Sequence, residues 1–286
     1  MTTSSTKICS EDLAKNGFVT LRNFFLLKEL SKLERCVVDL FLMQAMKIGE
    51  YRDAAIQIRD SETSDFEKFS RIYELMEQND KEALYQVQKF LPSSPVARAI
   101  FGASFLDLTR TLLASTDGTL LVDGPALFVN RPKTERLLYK WHSESHYYPK
   151  RRRFLNVWFP LFDSKNRENG TMSFKVSSHG TNFPFADYQG FNRDTQGLPN
   201  HFVQYEIPES LLGEYKEHWC DATPGDLVIF DKNLVHRSNH NYSDKYSVAV
   251  VARVWDPSDD LTLSGSLAAT PYGGNIGRSG LVVGEV

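Results

Sequence analysis

Trp141-His142-Ser143-Glu144-Ser145-His146-Tyr147-Tyr148-Pro149 is the stretch around which the chain is organised, and Leu234-Val235-His236-Arg237-Ser238 is its distant partner. On an extended strand, side chains two apart share a face, so His142 and Glu144 are expected to point the same way. A second imidazole, brought across a sheet from His236, would complete two histidines and one carboxylate on one face of a metal. Three protein ligands leave the opposite positions open for substrate and oxygen, the pattern used by non-haem Fe(II) oxygenases. Neutral imidazole suits Fe(II), and one carboxylate offsets part of its charge without filling the coordination sphere. Judged on spacing alone, a hydrogen-bonded histidine cluster in a barrel core is the better reading, so the surrounding sequence has to decide.

Outward from this stretch, the chain after Gly118 reads as short segments rich in β-branched and aromatic residues. Strands are expected over 119–130, 137–144, 154–162, 171–176, 202–207, 227–231, 234–239 and 246–255. Asn169-Gly170, Pro224-Gly225-Asp226 and the polar run 241–244 separate them with turn chemistry suited to antiparallel connections. About eight such strands point to a double-sheet jelly roll. All seven histidines lie between His142 and His240, which places the expected chemistry in this part.

The first 118 residues have a different character. After a short polar, helix-like start, residues 17–25 alternate as a half-buried strand does. Leu30, Leu33, Val37, Leu40, Phe41 and Met46 then recur at helical spacing. Further helices are expected over 63–78, 81–90 and 95–114. The expectation is one domain over 1–286: a mostly helical part (1–118), a jelly-roll core (119–256) with an insertion at 181–219, and a tail (257–286).

Composition bounds the function. A net charge of −3 with 24% charged residues gives no global attraction to nucleic acid or to an anionic membrane. Cys9, Cys36 and Cys220 are odd in number and widely spaced, with no disulfide or zinc pattern, which fits a reducing cytoplasm. Residues 1–10 lack an apolar run, and no stretch nears the roughly 20 apolar residues of a membrane span. The expected partner is a small-molecule substrate, with oligomeric state open.

The motifs in order are Gly17-Phe18-Val19-Thr20-Leu21-Arg22, Asn130-Arg131-Pro132, Trp141-His142-Ser143-Glu144, Trp158-Phe159-Pro160-Leu161, Glu168-Asn169-Gly170-Thr171-Met172 and Ser178-His179-Gly180. Pro224-Gly225-Asp226-Leu227-Val228-Ile229-Phe230, His236-Arg237-Ser238 and Asn241-Tyr242-Ser243 follow. In this sequence and spacing they resemble the phytanoyl-CoA dioxygenase-like family, which are Fe(II)- and 2-oxoglutarate-dependent oxygenases. The resemblance implies a mainly β fold with added helices: a double-stranded β-helix, the cupin-like jelly roll, with a helical N-terminal region packed on it. It also implies a metal triad of His142, Glu144 and His236, with 2-oxoglutarate chelating the iron and O2 as co-reactant.

Two departures stand out. The family's usual metal carboxylate is aspartate, whereas Glu144 is one methylene longer. Related halogenases place a small residue there, so Glu144 argues against that chemistry. The family also usually carries an arginine eleven positions after the distal histidine, pairing with the far carboxylate of 2-oxoglutarate through a fork-shaped contact; here that position is Ser247. Arg253 has the same strand parity, but six residues span about 20 Å. It is the expected cosubstrate cation, with Lys140 in reserve. Ser238 shares the face of His236 and offers a hydroxyl to the same carboxylate, and Asn130 and Asn156 match polar contact positions of the family.

On the substrate side, Trp158 reads as core packing or pocket lining, and Tyr148 is a further candidate. Lys150-Arg151-Arg152-Arg153 reads either as a solvated turn or as a clamp for an anionic substrate. The favoured function is a dioxygenase hydroxylating an unactivated C–H bond, with release of succinate and carbon dioxide. Two rivals stay open: a cupin-like isomerase or lyase using its metal as a Lewis acid, and a non-catalytic binding protein on the same fold, for which Ser247 speaks.

Overall fold

Phe154-Leu155-Asn156-Val157-Trp158-Phe159-Pro160-Leu161 is buried at every position, because this strand is covered on both faces. The computed structural model describes residues 3–79, 84, 87–88, 90–115, 119–135, 138–149, 153–188, 204–257 and 280–283. Eleven strands form among them: β1 (Phe18–Leu21), β2 (Leu120–Asn130), β3 (Phe154–Leu161), β4 (Met172–Lys175), β5 (Ala186–Asp187), β6 (Tyr205–Glu206), β7 (Glu217–Trp219), β8 (Leu227–Asp231), β9 (His236–Ser238), β10 (Ser247–Trp255) and β11 (Gly280–Val283). A six-stranded antiparallel sheet has the order β1-β8-β3-β10-β2-β11, and a three-stranded sheet has the order β7-β4-β9. This mainly β, jelly-roll-like arrangement carries its helices on one side.

The two faces of the large sheet have different partners. Val157, Phe159, Ile229, Val248, Val250 and Val254 pack with the helical region in the larger core. That core includes the helix Leu27–Lys47, whose buried stripe is Leu30, Leu33, Val37, Val38, Phe41, Leu42 and Ala45. Alternate residues of the same strands, Trp158, Val228, Phe230 and Ala249, pack on Phe174, Cys220, Ala222 and Leu234 on the side of the small sheet. The site lies on this second face. Apart from Asn156, β3 is apolar throughout because both of its faces are covered.

A bulge on β2 adjusts the register. Val251 of β10 pairs with Ala126 but Arg253 pairs with Asp123, so β2 carries one extra residue between them. Gly124 sits there at φ +131°, where an added Cβ would lie 2.9 Å from the Ala252 Cβ, so only glycine fits. The extra residue flips the side-chain alternation of β2.

Several local expectations change. The expected strand 137–144 does not form; only a single bridge joins His142 to His236, and the chain then tightens into a 3₁₀ turn, Glu144–His146. Here the Ser143 and Ser145 hydroxyls bond each other at 2.8 Å, which favours a turn over a ladder. The expected helix 95–114 divides into Pro95–Arg98 and Ala103–Leu112 around Gly102. Most of 81–90 lies outside the described residues. Within the expected tail, β11 adds a strand beside β2. No helix among the described residues is long and apolar enough to cross a membrane.

Candidate metal centre

β9, the bridging residue His142 and the first residue of the 3₁₀ turn bring the triad together. His142 and His236 exchange backbone hydrogen bonds, N–H to carbonyl, at 3.0 and 2.9 Å, and their rings lie 4.2 Å apart. Nε2 of His142 and Nε2 of His236 stand 4.0 and 3.8 Å from Oε2 of Glu144. One ligand atom from each residue falls within 4.8 Å of the others, and all three residues are buried.

The surrounding bonds orient these groups as a metal site would require. Nδ1 of His142 faces the Lys140 carbonyl at 2.7 Å, and Nδ1 of His236 faces the Leu234 carbonyl at 2.9 Å. A carbonyl only accepts, so each Nδ1 carries the proton and each Nε2 presents its lone pair. Burial pushes both imidazoles down in pKa, His142 to about 3 and His236 to about 4, so both are neutral near pH 7. Two neutral imidazoles and one carboxylate with a free oxygen fit a divalent first-row metal with open positions.

Arg253 occupies the other side of the carboxylate. Its Nε donates to Oε1 of Glu144 at 2.7 Å and its Nη2 donates to the same atom. Its guanidinium also lies 4.9 Å from the Tyr148 ring centroid, which places Tyr148 against the arginine. The longer glutamate side chain thus spans from Arg253 to the two imidazoles.

A cavity of about 250 Å³ opens beside the triad. Asn156, Trp158, Ser238 and Arg253 line it, and the Asn156 amide nitrogen is buried without a hydrogen-bond partner among the described residues. Asn130, Lys140 and Arg153 lie outside the cavity wall. Asn130 directs its amide to the Gly170 and Asn239 carbonyls at 3.1 and 2.8 Å and brackets two loops. Lys140 places its ammonium 5.1 Å from the Tyr188 ring centroid. Arg153 donates to the Leu113 carbonyl at 3.0 Å, at a helix end. Arg151 and Arg152 lie outside the described residues, as do residues 189–203 of the 181–219 insertion. The described flanks of that insertion approach the site, with Phe185 stacked on His146 at 3.9 Å.

One lining residue carried no signal in the sequence. Lys165 is 2% exposed and belongs to the cavity wall with Gly170, Met172 and Phe230. In Phe162-Asp163-Ser164-Lys165-Asn166-Arg167 it reads as a charge in a solvated loop. Its bridge to Ala222, with N–H to carbonyl bonds of 2.8 and 3.0 Å, pulls it inward instead.

The comparisons with known proteins agree with this architecture. EctD from S. alaskensis, in a structure with 2-oxoglutarate and 5-hydroxyectoine, superposes with a TM-score of 0.57 at 17% identity, over 91% of this chain and 77% of that one. AviO1 from Streptomyces viridochromogenes Tue57 gives 0.54 at 14% identity, over 91% and 98%. The non-haem alpha-ketoglutarate-dependent epimerase SnoN from nogalamycin biosynthesis gives 0.50 at 14%, over 88% and 81%. No curated protein matches the chain in sequence. The family profile described as phytanoyl-CoA dioxygenase matches residues 13–247, more than four-fifths of the sequence, and the chain belongs to that family of Fe(II)- and 2-oxoglutarate-dependent oxygenases.

Proposed function

We propose that this protein is an Fe(II)- and 2-oxoglutarate-dependent dioxygenase that hydroxylates an unactivated C–H bond of a small molecule. The observation that carries the reading is the convergence of His142 Nε2, His236 Nε2 and Glu144 Oε2 on one point beside a cavity. Bound there, iron with 2-oxoglutarate and oxygen would supply the oxidising power, with succinate and carbon dioxide as co-products.

The chain's own residues do the positioning. His142 and His236 offer nitrogen donors whose tautomers are set by the Lys140 and Leu234 carbonyls. Arg253 fixes the rotation of the Glu144 carboxylate. Trp158 and Phe230 give the cavity dry walls, which shield a reactive centre from water. Ser238 and Asn156 add polar groups for an oxygen-rich cosubstrate. The substrate is read as entering from the side of Tyr148, His146 and Phe185.

The test is spectroscopic. Addition of 2-oxoglutarate to the anaerobic Fe(II) protein is expected to give a saturable visible charge-transfer band, lost in His236→Ala. Iron binding without a band would set the oxygenase reading aside in favour of a metal-dependent isomerase, a lyase or a binding protein.

A further inference from the structure

We propose that Lys165 is the cation that holds the far carboxylate of the 2-oxo acid cosubstrate. This assignment rests on the oxygenase reading above. The family's usual arginine position is Ser247, whose buried hydroxyl has no hydrogen-bond partner among the described residues. The alternative on the same strand, Arg253, is forked onto Glu144 Oε1.

The place of Lys165 fits the missing charge. Ser247 pairs in register with Asn130, and Asn130 bonds the Gly170 carbonyl. Gly170 and Lys165 share the cavity wall with Met172, whose register partner on β9 is Ser238. Arg253 lies six residues along β10 from Ser247, about 20 Å in an extended strand. The cavity therefore has Arg253 with Glu144 toward one end and Lys165 with Ser238 toward the end where the family's arginine would stand. A 2-oxo acid chelated at the triad with its tail toward Gly170 meets a lysine from the facing side, in place of an arginine from β10.

The burial of the ammonium favours an anionic ligand. Lys165 is buried, burial lowers its pKa to about 7, and no hydrogen bond or ion pair reaches its ammonium from the described residues. A buried cation without a partner is costly, and a dicarboxylate entering the cavity removes that cost. The bridge to Ala222 fixes the backbone of Lys165, so the long stem starts from a rigid point. Asn156 adds to the same cavity a buried amide donor without a partner among the described residues.

The experiment is an anaerobic titration of the Fe(II) protein, read by the charge-transfer band and by calorimetry. It uses 2-oxoglutarate and its uncharged-tail analogue 5-methyl-2-oxohexanoate. Wild type is expected to prefer the dicarboxylate. Lys165→Met is expected to weaken 2-oxoglutarate by about 30-fold or more, with iron affinity and analogue affinity unchanged, so that the preference collapses. Lys165→Arg, which keeps the charge, is expected to retain a preference, whereas a packing role would not follow charge; this variant also decides the matter should the methionine variant fail to fold. Unchanged dicarboxylate preference in Lys165→Met, or its loss in Arg253→Met instead, overturns the assignment. A wild-type protein that binds iron but neither 2-oxo acid removes the oxygenase reading itself, a result distinct from a failure of Lys165.

Discussion

Arg253 and Glu144 form a fork on a single oxygen: Nε at 2.7 Å and Nη2 both donate to Oε1, leaving Oε2 turned toward the two imidazoles. A carboxylate held in this way presents one oxygen in a fixed direction, and such supporting contacts are worth 10–100-fold in metal affinity. Arg253→Met is therefore expected to weaken Fe(II) or Co(II) binding by about that factor. Anaerobic calorimetry checks it, and an unchanged metal affinity would show that the ion pair has no orienting role.

The same fork makes the length of the glutamate matter. Glu144→Asp withdraws the carboxylate by one methylene and cannot serve Arg253 and the imidazoles together. Metal affinity is expected to fall about tenfold or more, even though aspartate is the commoner ligand in this family. Equal affinity in the aspartate variant would show that the backbone shifts to compensate.

Lys165 gives the metal-free protein a pH signature. Its folded pKa is about 7 against an ordinary value of 10.5. Between these values the unfolded chain binds the extra proton, so stability rises with pH across that window and is lowest below it. Lys165→Met is expected to flatten this rise and to add roughly 1–4 kcal/mol at pH 7 or below. Urea midpoints from pH 6 to 10 measure both effects, and a methionine variant less stable than wild type at pH 6 would mean that the ammonium has a partner.

Gly170 has φ +79°, and an added Cβ would lie 2.2 Å from the Asn130 amide nitrogen and 2.7 Å from the Asn239 carbonyl. Gly170→Ala is expected to cost roughly 1–3 kcal/mol and to disturb 2-oxo acid binding, since this residue is part of the cavity wall. A denaturant midpoint equal to that of wild type would contradict the crowding.

Much of this was legible in the sequence, for stated physical reasons. The strands that pack on both faces, such as Phe154–Leu161, announce themselves as apolar runs. The residues that cluster at the candidate metal centre stand in Trp141-His142-Ser143-Glu144 and His236. The local shape around His142 was not legible, because one bridge and a serine-stabilised turn leave no period to detect. Lys165 was hidden for a different reason: a lone lysine among polar residues has the composition of a solvated loop, and only its pairing with Ala222, far along the chain, turns it inward. The partner of Arg253 was equally hidden, since parity gives its face but not which group meets it.

The paired backbone bonds between His142 and His236 carry one more consequence. Each histidine's amide proton is tied to the other's carbonyl, so the two backbones are locked side by side, while the Nδ1 bonds to the Lys140 and Leu234 carbonyls hold the rings. The two amides should exchange with deuterium as one cooperative unit, and metal loading should slow both together. The entropy of gathering the two histidines is thereby spent during folding, before any ion arrives.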